Sequence, residues 1–351
     1  MSALTPLRVG VAGLGFGRAV HGPALAALPG VSVAAVLGRD PARARAAAAE
    51  LGGARACTGL DDFLGAALDV VSLALPPAVQ ETVLGKVVAA RIPVLCEKPL
   101  TLTAACAGRL AVTAAGLPTA VDFQFRELPA FRSAKDLIES GTIGAVTRAE
   151  VIWHVESHAQ REKLWSWKTD RAQGGGVLTM LGTHVLYLVE WLLGRVEALR
   201  ARFDNRATRR FAPPGVEAAE DGCVMTMKLA GGTQVSVSVS NARPGETLHR
   251  WAIGGERGAM VLENPTSDYM HGFSLTHDGP AGSVLLSRPD PVIPQDGRLA
   301  PFAALAERFL AAVRAGDPSA SRPSLEDGAR VQALAESARR AAALGGWIGT
   351  S

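Results

Sequence analysis

Lys98 draws attention first, because of what stands on either side of it. Val94-Leu-Cys96 is an apolar run too short for most helices, and it passes directly into Glu97-Lys98-Pro99. Proline disfavours the helical backbone region for the residue before it, so an ammonium is pinned where a strand stops. In an open parallel sheet that end of a strand borders the ligand crevice. A lysine before proline is also an ordinary solvated turn residue, and the neighbouring motifs decide between the two uses. One is Gly13-Leu-Gly-Phe-Gly-Arg18, which follows the apolar run Leu7–Ala12 and opens a helical stretch. The other is Gly174-Gly-Gly176, which opens a helix carrying Met180 and His184, four apart and therefore on one face. Glycines at that start permit close backbone approach, as at an anion-binding helix end. A histidine there is either packed core or a proton carrier.

Strand, glycine-rich turn and helix in succession describe a dinucleotide-binding turn. Gly13 permits the tight turn, Gly15 admits a pyrophosphate, and Phe16 belongs to the same loop. Gly17 comes one residue before the usual third glycine, whose place is taken by Arg18. That shift either loosens helix–strand packing or supplies a guanidinium to the phosphate. The second strand, Val31–Leu37, ends at Gly38-Arg39-Asp40-Pro41. Asp40 is expected as a helix N-cap with Pro41 at the first helical position. A small residue followed by arginine suits a 2′-phosphate better than a free 2′-hydroxyl, so NADP(H) is favoured over NAD(H) at Gly38 and Arg39. A third strand, Asp69–Leu75, closes at Pro76-Pro77, and Leu75 and Pro76 are expected to present backbone to the cofactor.

Strand and helix alternate from residue 7 to 123, with a helix over 78–90, a helix capped by Thr101 or Thr103, and a strand at Thr119–Phe123. The alternation predicts an α/β Rossmann doubly wound domain over 1–123. From Gln124 the pattern changes: one amphipathic helix, Pro129–Ser140, then strands at 145–156, 196–205, 222–229, 233–240, 249–253 and 259–263. Strand runs of that kind predict an α+β domain over 124–351 with a largely antiparallel open sheet, for substrate binding and oligomerisation. Ala230-Gly-Gly-Thr233 is a hairpin signal, and helices are expected over 300–315 and 323–344, the C-terminal helix being free to pack back on the first domain. Val235, Val237 and Val239 alternate with Ser236, Ser238 and Ser240, giving a core face and a small polar face suited to a second subunit.

A length of 351 residues, 48% hydrophobic and 20% charged, suits two ordinary globular domains. The net charge of +3 is dispersed, so nucleic acid is not expected as a partner. Met1–Leu7 holds no signal-like apolar block and no stretch approaches membrane-spanning length, which points to a cytoplasmic protein without membrane contact. Cys57, Cys96, Cys106 and Cys223 have no paired spacing and are expected as buried free thiols. His154 and His158 lack a convincing ligand set, so no metal is expected, and they stand as candidates to line a cleft.

Together these segments resemble the glucose-fructose oxidoreductase / inositol dehydrogenase / rhizopine catabolism family, Gfo/Idh/MocA, over nearly the whole chain. Glu97-Lys98-Pro99 matches the family's Glu-Lys-Pro motif, and Gly174–Gly176 with Gly182-x-His184 matches its second block. Phe123-Gln-Phe-Arg126 with Pro129, the Ile143-Gly144 turn and a last helix from Ser324 also fit. The resemblance implies that Lys98 lies beside nicotinamide and substrate hydroxyl and that His184 joins it in handling the proton. It also implies a hydride transfer between nicotinamide and the carbinol or keto carbon of a sugar, polyol or related molecule. Met180 stands where the family often has aspartate, and Gln80 where it often has histidine. Losing the aspartate removes an orienting acceptor or a second proton carrier. Around the substrate, Gln124 and Arg126 are expected to border the cleft, with Trp165, Trp167 and Lys168 beside Met180 and His184 as a stacking platform and charge. Arg126 equally suits a structural anchor. Two other classes share these features: a dinucleotide-assisted lyase or glycosidase without net redox, and a non-enzymatic NADP-binding sensor.

Overall fold

Apolar runs that read as continuously buried strands become the middle of a parallel sheet, because such strands are covered on both faces. The computed structural model describes residues 5–268, 270–280, 282–287 and 296–350; residues 1–4 of the Met1–Leu7 reading lie outside the described residues. The elements from the N-terminus are β1 (Leu7–Ala12), α1 (Gly22–Ala26), β2 (Val31–Leu37), α2 (Pro41–Glu50), β3 (Arg55–Cys57) and α3 (Leu60–Leu64). They continue with β4 (Val70–Leu73), α4 (Pro77–Ala89), β5 (Val94–Cys96), α5 (Ala104–Thr113) and β6 (Thr119–Val121). These six strands form a sheet in the order β3-β2-β1-β4-β5-β6, every pair parallel. The order reverses between β1 and β4, which is where an open α/β sheet opens its ligand crevice.

Local chemistry sets the helix starts. Asp40 caps α2, accepting from the Ala42 and Arg43 amides at 2.9 Å each, and Pro41 follows it. Of the two threonines considered for α5, Thr103 is the cap, accepting from Cys106 N at 3.2 Å.

The second run of elements is α6 (Pro129–Glu139), β7 (Val146–His154), α7 (His158–Arg161), α8 (Thr183–Leu193), β8 (Val196–Asp204), β9 (Gly222–Leu229) and β10 (Gln234–Ser240). After it come β11 (Leu248–Gly255), β12 (Ala259–Asn264), β13 (Ser274–Gly279), β14 (Gly282–Ser287), α9 (Leu299–Ala315), α10 (Leu325–Leu344) and β15 (Ile348–Gly349). The second sheet runs β14-β13-β12-β11-β7-β10-β9-β8-β15 and is antiparallel except between β10 and β7. The expected hairpin joins β9 and β10. Val235, Val237 and Val239 are buried, as the alternation requires, while Ser236 is exposed; Ser240 departs from it, buried and donating to Asp221 O at 3.0 Å.

The chain divides into two compact units, Met1–Gln124 with Arg298–Arg330, and Phe125–Gly297 with Val331–Ser351. The sequence expectation assigned 124–351 to the second domain with the C-terminal helix free to pack back on the first; residues 298–330, which take in α9 and the start of α10, group with the first unit. Phe302, Leu305, Phe309 and Leu310 of α9 join Val9, Val11, Leu25, Val36 and Leu51 in one buried core. Each such side chain contributes about 1.5–3 kcal/mol through burial. Residues 321–325 also fasten onto β6, through Val121 N to Pro323 O at 2.8 Å and Ser321 Oγ to Thr119 O at 2.6 Å.

Candidate functional site

In the first unit the glycine-rich turn lies at the switch between β1 and β4. Gly13 has φ +114°, and a Cβ there would sit 2.2 Å from the Ala74 carbonyl oxygen, so only glycine lets the two strand ends meet this closely. Gly15 is the opposite case: a Cβ would meet nothing within 4 Å. Gly15 is also exposed, so the space beside its Cα is open to a ligand. At Gly17 a Cβ would lie 3.3 Å from Ala12 O and 3.4 Å from the Ala74 Cβ. The early glycine therefore keeps helix and strand close, and the packing is not loosened. Gly17–His21 then forms a π turn, which uses one residue more than an α turn before α1 begins. Arg18 is engaged by the Glu50 carboxylate, with Nε 2.7 Å from Oε2, so its guanidinium already has a protein partner. Phe16 stands edge-on to His21 at 5.3 Å and under the Arg298 guanidinium at 4.9 Å.

At the end of β2, Leu14 packs over Gly38, with its Cδ1 2.2 Å from where a Cβ would stand. Arg39 is exposed beside it. Arg43, which the sequence reading did not single out, reaches back to the Leu14 carbonyl at 3.3 Å and brings a second guanidinium to the glycine turn. Its signal was the Asp40-Pro41 start, which fixes residue 43 in the first turn of α2.

Lys98 follows β5, where Glu97 N donates to Leu73 O at 2.8 Å and thereby continues the pairing with β4. Leu75 and Pro76 are half-buried at the neighbouring strand end. Gln80, one turn into α4 and buried, donates through Nε2 to Glu97 O at 2.6 Å and to Pro99 O at 2.9 Å. Both carbonyls flanking Lys98 are thus held by one amide. A neutral imidazole has one N–H and could serve only one of them, so glutamine at this position is a working substitute for histidine.

Three titratable groups converge beside this turn, and they are the one group of possible metal ligands among the described residues: His21, Glu97 and Asp122. His21 Nε2 lies 3.5 Å from Glu97 Oε1 and 3.9 Å from Asp122 Oδ2. Burial, and then the Glu97 charge, push the Asp122 carboxyl well above the ordinary carboxylate range. Burial works the same way on Glu97, but His21 and Lys98 outweigh it and hold that group below its usual value. Sequence reasoning missed His21 and Asp122. The available signal was a carboxylate at the end of the apolar strand Thr119–Val121. Gln124 is buried here, its Nε2 3.3 Å from Asp122 Oδ2.

The second unit holds His184 on the first turn of α8, after a π turn at Leu178–Gly182 that contains Met180. The expected α-helical register between Met180 and His184 is therefore broken by a π turn, a feature frequent at functional sites. His184 is 7% exposed and packs edge-on to Phe125 at 5.0 Å, with Trp153 at 6.3 Å. Trp153 in turn stacks on His249 at 4.1 Å, and Trp251 Nε1 donates to His249 Nε2 at 2.9 Å. Burial drives His249 from 6.5 down to about 3, so it is a neutral core residue.

The glycines before this helix serve the protein's own backbone. A Cβ on Gly175 would lie 2.4 Å from Trp167 O, and on Gly176, 2.4 Å from the Glu220 carboxyl. The anion beside Gly176 is thus Glu220, held in turn by Arg339 at 3.2 Å. Trp167 is half-buried and Lys168 exposed on the loop that covers Gly175; Trp165 meets Phe211 edge-on at 6.5 Å. Arg126 donates to Tyr187 Oη at 2.8 Å, lies over Trp191 at 5.2 Å and pairs with Glu127 at 3.5 Å, the partners of an anchor. His154 bonds Ser238 at 2.8 Å and faces Glu246 at 3.4 Å; His158 contacts Arg161 at 3.5 Å. All four cysteines are buried free thiols.

Comparison with known proteins fits this geometry. Residues 7–123 match the oxidoreductase family with an NAD-binding Rossmann fold, and residues 131–261 match the GFO/IDH/MocA C-terminal domain. A Synechocystis sp. protein named as an uncharacterized oxidoreductase is 29% identical over 97% of this chain and 95% of its own. Inositol 2-dehydrogenase of Corynebacterium glutamicum is 29% identical over 67% of each. The crystal structure of GenD2 from gentamicin A biosynthesis, in complex with NAD, superposes with a TM-score of 0.81 at 27% identity, covering 99% of this chain and 97% of that one. With both halves matched and the Rossmann strand order in place, the chain belongs to the Gfo/Idh/MocA family of oxidoreductases and is an enzyme built on an NAD-binding Rossmann fold.

Proposed function

We propose that this enzyme is an NAD(P)-dependent dehydrogenase or reductase acting on a CH–OH or keto carbon of a sugar, polyol or related small molecule, with Lys98 as its acid/base. The observation that carries the reading is the pairing of an exposed Gly15, with open space beside its Cα at the β1–β4 switch, with Lys98 fixed after β5, one strand away. A bound nicotinamide dinucleotide supplies the hydride acceptor or donor. The chain's own residues do the rest. Gly13, Gly15, Phe16 and Gly17 shape the pyrophosphate turn, and Leu75, Pro76 and Glu97 offer backbone at the strand ends. Lys98 takes the proton from the carbinol oxygen on oxidation and returns it on reduction. His184 is the second proton-handling group.

The dehydrogenase activity in the name of the Corynebacterium relative supports a polyol-type substrate. Gln124, Trp167, Lys168, Met180 and His184 are assigned to the substrate, with Arg126 as an anchor held by Tyr187, Trp191 and Glu127. Arg39, exposed beside Gly38, and Arg43 at the glycine turn support NADP(H) over NAD(H); Arg18, paired with Glu50, is left out of that role. A cytoplasmic homo-oligomer joined through the open face of the second sheet completes the proposal, on which Val224 is 56% exposed.

The test is stoichiometric: purified protein is incubated with NADP+ or NAD+ and a panel of polyols and sugars, following reduced cofactor and product together. One reduced cofactor per product is expected, and Lys98→Ala should slow it by about 10²–10⁴-fold. Product without net cofactor reduction would favour the lyase or glycosidase class, which the loss of the aspartate at Met180 leaves open.

A further inference from the structure

His184 follows the π turn directly, and in the second unit a chain of polar side chains leads from that turn to α10. Glu220, Thr179, Thr183 and His184 are all buried. Arg339 of α10 reaches them with one terminal guanidinium nitrogen: Nη2 donates to Glu220 Oε1 at 3.2 Å and to Thr179 Oγ1 at 3.3 Å. That nitrogen carries two hydrogens, so it serves both oxygens. The backbone repeats the link, because Val177 N donates to Glu220 O at 2.7 Å. Within the turn Thr183 N donates to Leu178 O, five residues back, as a π turn requires. The Thr183 hydroxyl donates to Thr179 O at 2.9 Å and fastens the same turn four residues back. Thr179 is therefore held at both ends, its hydroxyl by Arg339 and its carbonyl by Thr183, the residue next to His184.

The Glu220 side chain is 4% exposed and that of Arg339 29%. A buried carboxylate without its cation is costly, so the Glu220 charge fixes the guanidinium, and the guanidinium fixes Thr179. On its other flank the His184 ring meets Phe125 and Trp153, whose rings set its tilt. We infer that Glu220, Arg339 and Thr179 form a strut from α10 that fixes the π turn and thereby sets where the His184 imidazole stands. These three, with Thr183, are positioning residues: none reacts, and each acts through the turn that carries His184. The inference deepens the proposed function and rests on His184 being its second proton-handling group.

The test is NMR of the full chain labelled with ¹⁵N-histidine, the His184 imidazole signals being assigned by their loss in His184→Ala. His249 packs against the same Phe125 at 5.5 Å and serves as internal reference. Thr179→Val keeps the side chain's shape and removes the hydroxyl that Arg339 holds. It should displace the His184 signals and leave those of His249 in place. Thr179→Ser restores the hydroxyl and should return the wild-type signals. Arg339→Lys keeps a cation for Glu220 on a shorter, unforked side chain and should displace His184 as Thr179→Val does. The double variant should add no further displacement, because both changes cut one link. In the cofactor assay above, Thr179→Val should lower kcat by up to about 10²-fold with KM little changed, the effect of a reacting group misplaced by about 1 Å. Unmoved His184 signals in Thr179→Val, equal displacement of His184 and His249, or a Thr179→Ser spectrum like that of Thr179→Val would overturn the inference. Wild-type turnover by His184→Ala would instead overturn the role given to His184. The imidazole signals need no turnover, so the two failures are told apart.

Discussion

Lys98→Ala should lower turnover by about 10²–10⁴-fold, the usual worth of a positioned acid/base, while dinucleotide affinity changes little. Steady-state kinetics beside a binding titration separates the two quantities. The glycine turn divides in a similar way. Gly13→Ala forces a side chain into φ +114° and against the Ala74 carbonyl, and should cost about 1–3 kcal/mol of stability or more. Gly15→Ala meets open space in the protein, so thermal stability should hold within about 0.5 kcal/mol while dinucleotide binding weakens. Similar melting temperatures for the two variants would contradict these roles. Arg39→Ala should weaken NADPH by about tenfold or more and NADH little, since a charged hydrogen bond contributes about 1.5–3 kcal/mol. Much at this scale was legible. Gly13, Gly15 and Lys98 announce themselves by their neighbours in sequence. His21, Glu97 and Asp122 meet only through folding, 76 and 101 positions from the first of them, and no local pattern carries that.

Among the elements, α4 and β11 make the clearest predictions. Gln80→Leu removes both hydrogen bonds to the carbonyls flanking Lys98 and should cost about 2–3 kcal/mol by denaturant unfolding, at about 1 kcal/mol per bond plus the penalty for stranded carbonyls. Gln80→His should recover only part. On β11, His249 stays neutral in the native state down to about pH 3, whereas in the unfolded chain it gains a proton below about 6.5. Its contribution is complete above the unfolded value and is lost as pH falls from there, at up to about 1.4 kcal/mol per pH unit. Wild type should therefore lose about 2 kcal/mol more than His249→Gln between pH 6.5 and 5. Long apolar runs made β1, β2, β7 and β9 readable. β3 is only Arg55–Cys57 and β15 only Ile348–Gly349, too short for any period to register. Ser274–Gly279 and Gly282–Ser287 lack a sustained alternation, and their pairing with β12 and with each other was not anticipated. The π turns at Gly17–His21 and Leu178–Gly182 leave no mark in composition.

For the molecule as a whole, the change from alternating to successive strands near residue 124 separated two architectures correctly in kind. A return of the C-terminal helix to the first unit was anticipated, but the inclusion of α9 was not, because an amphipathic helix shows which face it buries and not against what. The open sheet face of the second unit predicts association: Val224→Arg should shift the protein to a smaller species in light scattering, and an unchanged mass would remove that surface from consideration. The whole assignment depends on a nicotinamide dinucleotide binding at the β1–β4 switch. The decisive measurement is a titration of wild type and Gly15→Ala with NADPH and NADH, followed by energy transfer from tryptophan. Saturable binding with NADPH preferred, weakened in Gly15→Ala, is the predicted result; no binding of either dinucleotide, oxidised or reduced, would contradict it.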